Sequence, residues 1–128
     1  MIRYSILMAV LLASGPAAAE LRSGPYRHAY CYMYEHRDMA GARMRMPNGD
    51  RVSMASGDVG STAWRERPDW NDVVSSATVD PGCTLNVWEH IEGQGASRSW
   101  HGGANGWRVN YVGSAWNDRI SSATCYCR

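Results

Sequence analysis

The sequence has 128 residues, with 13 Arg and no Lys against 12 Asp plus Glu, four Cys, and no Phe beside seven Tyr and six Trp. A formal charge of +1 provides no excess that would attract nucleic acid or an anionic membrane surface, so any partner must be recognised by a local site. The length fits one domain with its own core.

The first nineteen residues have the pattern of a secretory signal peptide. Arg3 precedes an apolar run at 6–13, and a break at 14–16 leads to the small residues 17–19, after which cleavage is expected. The run is shorter than the roughly 20 residues that a membrane span requires. The sequence therefore predicts a secreted or periplasmic protein whose mature chain, residues 20–128, forms one domain without a membrane anchor.

Four cysteines lie in this mature chain: Cys31, Cys83, Cys125 and Cys127. An even number in an exported chain predicts two disulfides. Cys125 and Cys127 are two residues apart and would share one face of a strand, where they are poorly placed to bond each other. Each is therefore predicted to pair with Cys31 or Cys83. A metal site of cysteine and histidine is disfavoured, because no zinc-ligand spacing is present.

The pattern along the chain favours short strands. Residues 43–46 and 84–88 alternate polar and apolar side chains, while Val73-Val74 and residues 77–79 are rich in β-forming types. Turn-forming residues separate these runs, at 47–50, 80–82 and 102–106. No window keeps a helical period over three turns. These observations predict an all-β domain.

Two segments of the sequence are each repeated once along the chain. Trp70–Val79 matches Trp116–Cys125 at an offset of 46, and Tyr34–Gly41 matches Trp88–Gly95 at an offset of 54. The first copy therefore carries about eight extra residues, which we assign to a polar loop at 56–68. Two copies of about four strands, at about 29–80 and 82–127, predict one β-sandwich built from two Greek-key motifs.

Both long repeats contain the pattern Asn-Asp-x-x-Ser-Ser, at 71–76 and at 117–122. Calcium prefers six to eight oxygen ligands, and an Asp in a turn, converging carbonyls and a serine hydroxyl are of that type. The same residues also suit a structural role, in which Asn-Asp caps a turn and the serines bond its backbone. Two intact copies in register favour calcium binding, together with the capping role.

On these motifs the chain resembles the βγ-crystallin superfamily, over about residues 29–126. Calcium-binding members carry Asn/Asp-Asn/Asp-X-X-Ser/Thr-Ser in each Greek key, preceded by an aromatic-x4-aromatic-x-Gly hairpin. Both copies of the metal motif are complete here. The hairpin pattern departs at its second aromatic position, where Met39 and Gly93 stand.

The resemblance implies a two-Greek-key sandwich that binds two Ca²⁺ ions, each site being shared between the repeats. It implies side-chain ligands from Asp72, Ser75, Asp118 and Ser121, and carbonyl ligands from Val73 and Arg119. Glu35 and Glu89, or their hairpin neighbours, are further candidates. Few carboxylates per site predict millimolar to micromolar affinity, and the positive side chain of Arg119 predicts weaker binding at the site beside it.

Other features bear on alternative functions. No nucleophile–base pair, metalloprotease motif or phosphate loop is present, which predicts a non-enzymatic protein. Trp70 and Trp116 are expected to anchor the motif turns. Trp64, Trp100 and Trp107 are candidates for an exposed surface that binds a cell-surface glycan or a protein, although burial is expected for at least two of them.

A second resemblance gives an alternative function. The predicted fold is similar to that of a family of small microbial metalloproteinase inhibitors, which are exported and carry two disulfides. That resemblance implies that an exposed loop at 56–69 inhibits a secreted protease, with calcium secondary or absent. With either function the chain is expected to be a monomer.

Overall fold

The computed structural model describes residues 26–54 and 61–128. The predicted signal peptide at 1–19 and the first part of the predicted loop, residues 56–60, lie outside the described residues. Nine strands are present in the described part: β1 Tyr30–His36, β2 Ala40–Pro47, β3 Arg51–Ser53, β4 Trp64–Arg65, β5 Ser76–Val79, β6 Cys83–His90, β7 Gln94–His101, β8 Trp107–Val109 and β9 Ser122–Cys127. Two 3₁₀ turns, at Arg37–Met39 and Ile91–Gly93, connect β1 to β2 and β6 to β7.

The strands form two antiparallel sheets. One has five strands in the order β4-β2-β1-β5-β8, and the other has four in the order β3-β9-β6-β7. β3 belongs to the first half of the chain but pairs with β9, while β8 belongs to the second half but pairs with β5. Each half of the chain therefore contributes one strand to the sheet formed mainly by the other half. The predicted all-β sandwich of two Greek keys is confirmed.

The core lies between the sheets and follows the two-residue period of the strands. Side chains that alternate along the long strands are fully buried there: Cys31 and Met33 on β1, Met44 and Met46 on β2, and Leu85 and Val87 on β6. The alternation predicted at 43–46 and 84–88 is thus confirmed. No helix among the described residues has both the length and the apolar composition needed to cross a membrane.

Two disulfides join the strands. Cys31–Cys125 links β1 of one sheet to β9 of the other, and Cys83–Cys127 links the neighbouring strands β6 and β9. The predicted pair of bridges, with no bond between Cys125 and Cys127, is confirmed. Because both bridges end on β9, this strand is covalently tied to each sheet.

The repeated Tyr34–Gly41 and Trp88–Gly95 segments are the two strand–turn–strand hairpins. Gly41 and Gly95 have φ of +80° and +83°, and a Cβ at either would lie 2.5 Å from Cδ2 of His36 or His90. Each histidine ring thus packs directly against the glycine backbone. Only glycine combines this left-handed conformation with so close a contact, which explains why histidine and glycine recur together.

Two local predictions require correction. Val73 lies in a turn and Val74 outside any strand, because Asp72 adopts a left-handed φ of 56° and β5 begins only at Ser76. Val74 is buried in the core, so its β-forming side chain serves packing. The predicted loop at 56–68 also contains β4, which pairs with the edge of β2.

Candidate metal centre

The two Asn-Asp turns lie side by side. The backbone N–H of Asp72 donates to the carbonyl of Ile120 at 3.1 Å, and the N–H of Asp118 donates to the carbonyl of Val74 at 3.2 Å. Both aspartates are left-handed, with φ of 56° and 59°. Asp tolerates this region better than most residues because its short side chain bonds locally. The repeated Asn-Asp pair therefore forms two equivalent turns related by the internal symmetry of the sandwich.

The first serine of each motif reaches across to the opposite motif. Ser75 Oγ donates to Asn117 Oδ1 at 2.6 Å, and Ser121 Oγ donates to Asp72 Oδ1 at 3.1 Å. Both serines are 7% exposed. Oxygen atoms of the two repeats therefore converge in pairs at the junction of the two turns.

An open cavity lies beside Ser75 and is built from both repeats. Its other lining residues are Glu35, His36, Arg37, Asp72, Val73, Tyr111, Asn117 and Asp118. The guanidinium of Arg37 lies over the Tyr111 ring, 4.2 Å from its centroid. Three carboxylates, one amide and two hydroxyls thus border one open space.

Glu35 is held at the side of this cavity by two donors. Its Oε1 accepts from Ala42 N at 3.1 Å, and its Oε2 pairs with Arg67 Nη1 at 2.5 Å. The Ala42 N–H first, and then the charges of Arg67 and His36, hold the pKa of Glu35 below its usual value. Glu35 is therefore an ionised oxygen donor at neutral pH.

The second serine of each motif has a different task from the first. Ser76 Oγ donates to the His36 carbonyl at 2.5 Å and accepts from Met39 N at 2.9 Å. Ser122 Oγ makes the same two bonds, to the His90 carbonyl at 2.6 Å and from the Gly93 N–H at 2.9 Å. The second serine therefore fastens the 3₁₀ turn of its hairpin onto the sheet.

The fold is similar to that of several solved structures. They include a βγ-crystallin domain from Clostridium beijerinckii, at 21% identity and a TM-score of 0.59 over 76% of this chain and 97% of that one. The chain has the βγ-crystallin fold. A βγ-crystallin domain from Flavobacterium johnsoniae is similar at 19% identity and 0.58, over 77% and 94% of the two chains. A clostrillin double mutant in complex with nickel is similar at 20% and 0.58, over 76% and 97%. No protein-family model and no curated protein matches the chain.

The predicted metal ligands fall into two groups, according to whether they line the cavity. Asp72, Val73, Ser75 and Asp118 line the cavity, and Ser121 joins them through its bond to Asp72. Arg119 does not line the cavity; its N–H donates to the Trp116 carbonyl at 3.0 Å inside the turn. Glu89 lies in the second hairpin, 3.6 Å from the His90 ring nitrogen.

Sequence reasoning missed Asn117 and Tyr111, which line the cavity, and Arg67, which pairs with Glu35 beside it. Asn117 occupies the first motif position, whereas the resemblance pointed to the second. Arg67 and Tyr111 gave no signal, because neither lies in a repeated segment. Arg67 comes from the extra residues of the first repeat, so the Glu35 carboxylate has a cationic partner for which no equivalent is found at Glu89 among the described residues.

The donor set around the cavity consists of hard oxygen atoms. Among the described residues, the one group of three His, Cys, Asp or Glu ligand atoms close enough to share an ion is Cys31, Cys83 and Cys125, and all three are disulfide-bonded. Thiolates are therefore not free to hold a soft metal. Carboxylate, amide and hydroxyl oxygens fit calcium in chemical type.

The division of the tryptophan side chains into buried and exposed differs from the prediction. Trp70 is buried as predicted and Trp116 packs partly against the core. Trp100 is also buried, at 3% exposure, but Trp64 and Trp107 are 45% and 53% exposed. The expectation that two of the last three would be buried was wrong, because Trp64 lies on the outer surface of an edge strand and Trp107 lies at the end of another.

Proposed function

We propose that the chain is an exported, calcium-binding βγ-crystallin domain with two Ca²⁺ sites shared between its repeats and a structural or binding role, not a catalytic one. The observation that carries the proposal is the crossed pairing of Ser75 with Asn117 and of Ser121 with Asp72. It places oxygen donors of both repeats together twice, as a shared ion requires. Asp118 and Glu35 add carboxylates at the first of these junctions.

The residues of the chain prepare these junctions before an ion arrives. The serine hydroxyls donate to Asn117 and Asp72, and the paired backbone bonds hold both turns, so the donors need little rearrangement. When bound, calcium supplies a double positive charge that links carboxylates of both repeats. Binding only to the folded state raises stability by mass action, about 2.7 kcal/mol at an ion concentration of a hundred times Kd.

Thermal melts in millimolar calcium and in chelator test this proposal. We expect calcium to raise Tm of the parent and to have little effect on the Asp72→Ala/Asp118→Ala variant. A charge-matched control, Glu66→Gln/Asp80→Asn, removes two carboxylates outside the cavity and should keep the full shift. Calorimetric titration then compares the two sites, of which the one beside Arg119 is predicted to be weaker. Equal shifts in the parent and the Asp72→Ala/Asp118→Ala variant would refute calcium binding through these motifs.

Export is supported by the two disulfides, which persist in oxidising compartments. The prediction of a signal peptide can be checked directly. Expression of the full chain in a secreting host, followed by mass spectrometry, should give a product that begins at Glu20. Retention of the intact N-terminus in the cytoplasm would contradict it.

A second candidate function, inhibition of a secreted metalloproteinase, is favoured by how the inserted segment is anchored. The buried carboxylate of Asp50 accepts from Ser61 Oγ and from the Thr62 N–H, each at 3.0 Å. A loop with a fixed base suits an inhibitor. Stoichiometric inhibition of a thermolysin-like protease tests it, with a deletion confined to residues 56–60 because β4 pairs with β2. If inhibition survives this deletion, the loop is excluded as the inhibitory segment.

A further inference from the structure

The outer surface of the five-stranded sheet carries aromatic rings and arginines. On β1, Tyr32 lies opposite to the buried Cys31 and Met33 in the strand alternation, and Arg43 and Arg45 alternate with buried methionines on β2. We call this surface the arginine–aromatic face and define it by six residues: Tyr30, Tyr32, Arg43, Arg45, Trp64 and Arg108. It lies away from the cavity of the candidate metal centre, whose lining includes none of them.

One row of side chains crosses all five strands of this face. The register pairs Trp64 with Arg45, Arg45 with Tyr32, Tyr32 with Thr78, and Thr78 with Arg108. Directly opposed residues in an antiparallel sheet point to the same side. With about 4.8 Å between strands, the row extends over roughly 19 Å. It therefore offers a straight path for an extended polymer.

The two central arginines are stacked on rings. The guanidinium of Arg45 lies 4.8 Å from the Tyr30 ring centroid and 5.8 Å from that of Trp64. That of Arg43 lies 5.6 Å from the Tyr32 ring and 5.4 Å from the Trp64 ring. Stacking uses the faces of a guanidinium and leaves its N–H groups for an acceptor. The rings thus pre-organise two forked donors for carboxylates.

The positive charges of the face have no carboxylate partner among the described residues. Two acids border it, but Asp80 Oδ2 accepts from the Tyr30 N–H at 2.9 Å and Glu66 Oε1 accepts from the Arg43 N–H at 2.7 Å. In the described part of the chain, no salt bridge joins Arg43, Arg45 or Arg108 to a carboxylate. Burial first, and then the charge of Asp80, raises the pKa of Tyr32, so its phenol stays neutral and can donate to a hydroxyl-rich partner.

We propose that the arginine–aromatic face binds a polysaccharide that carries carboxylate groups. The strand spacing of about 4.8 Å is close to the length of one sugar unit in an extended polysaccharide. Arg45 and Arg108 bind carboxylates along the row, and the exposed ring of Trp64 packs against the apolar face of a sugar. A nucleic acid fits less well, because its affinity depends on many phosphate contacts and this face offers three guanidiniums.

The test measures binding of the full mature chain to polygalacturonate by calorimetry, in chelator so that calcium cannot bridge the two. Failure of the calcium proposal therefore leaves this result unaffected. The probe variants are Arg45→Gln/Arg108→Gln and, separately, Trp64→Ala. A charge-matched control, Arg51→Gln/Arg98→Gln, removes two exposed arginines from the other sheet. Circular dichroism and Tm establish that each variant is folded.

We expect the parent to bind polygalacturonate and not the uncharged polymer dextran. Loss of Arg45 and Arg108 should weaken binding by about tenfold or more, because two guanidiniums that make charge-assisted hydrogen bonds to carboxylates are removed, whereas the control should stay within about twofold. Equal binding by the folded Arg45→Gln/Arg108→Gln variant, or equal binding of dextran, would overturn the proposal. Tighter binding of oligothymidylate than of polygalacturonate would also overturn it and would indicate a nucleic-acid surface.

Discussion

The two serines of each motif can be separated by mutation, because they serve different parts of the structure. In the Ser76→Ala variant, the His36 carbonyl and the Met39 N–H each lose their side-chain partner. In the Ser75→Ala variant, one hydroxyl that faces Asn117 is lost. We predict that the first change lowers stability with or without calcium, and that the second mainly reduces the gain from calcium.

The expected size follows from the bonds that Ser76 makes. A typical hydrogen bond contributes about 1 kcal/mol net, so loss of both predicts a decrease of about 2 kcal/mol in the free energy of unfolding. For a domain of about 100 residues, this corresponds to a fall in Tm of about 8 °C. Ser122→Ala, which breaks the equivalent bonds, should give the same result.

Urea unfolding and thermal melts, each in chelator and in calcium, measure both effects. Ser97→Ala on the exposed strand β7 is the matched control and should remain within about 0.5 kcal/mol of the parent. The reasoning fails if Ser76→Ala is as stable as this control. It also fails if Ser75→Ala keeps the full calcium-dependent rise in Tm.

Three further outcomes follow from contacts outside the motifs. The Cys31–Cys125 bridge closes a loop with a sequence separation of 94 and so restricts the unfolded chain; replacing both residues by Ala should lower the free energy of unfolding in urea by about 4–5 kcal/mol. A decrease below about 1 kcal/mol would contradict this entropic explanation. Gly41→Ala places a Cβ at a left-handed φ and against a histidine ring, so it should lower the free energy of unfolding by about 3 kcal/mol in the same assay. The control Gly103→Ala has a φ of +60° but open space around the new Cβ, and should lower it by about 1 kcal/mol. The lowered pKa of Glu35 means that its stabilising effect is present above the ordinary pKa of glutamate and is lost as pH falls through the lowered value. Relative to Glu35→Gln in chelator, the advantage of the parent in Tm should therefore shrink from about pH 7 to about pH 3, and a constant difference would argue against an ionised Glu35.

Much of the architecture was predictable because it is repeated. The alternation at 43–46 and 84–88 identified long strands, since strand side chains alternate between core and solvent. Two copies of the hairpin and of the Asn-Asp motif then indicated two Greek keys. The pairing of the cysteines stayed open, because Cys31 and Cys83 both lie opposite β9, and only the three-dimensional register distinguishes their partners.

The candidate site was less predictable, because its details depend on contacts between distant segments. The β-forming run Val73-Val74 indicated a strand, but the left-handed Asp72 turns the chain there and the core takes up Val74. Nothing in the motif distinguishes Asn117 from Asp118 as the residue that meets Ser75. That choice depends on how two turns, 46 residues apart in sequence, pack against each other.

The extra residues of the first repeat explain why the two halves are not equivalent. They supply β4, which covers the edge of β2, whereas the equivalent strand β7 ends its sheet with no described neighbour on that side. They also supply Trp64 to the arginine–aromatic face and Arg67 to Glu35. Arg67 neutralises a carboxylate that a calcium ion at the first site would use, so an ion there competes with an internal cation. In the described part of the chain, Glu89 is paired with a histidine and with no arginine. One insertion therefore contributes to both the arginine–aromatic face and the candidate metal centre. Arg67→Gln, which releases Glu35, should strengthen calcium binding at the first site and leave calcium binding at the second site unchanged.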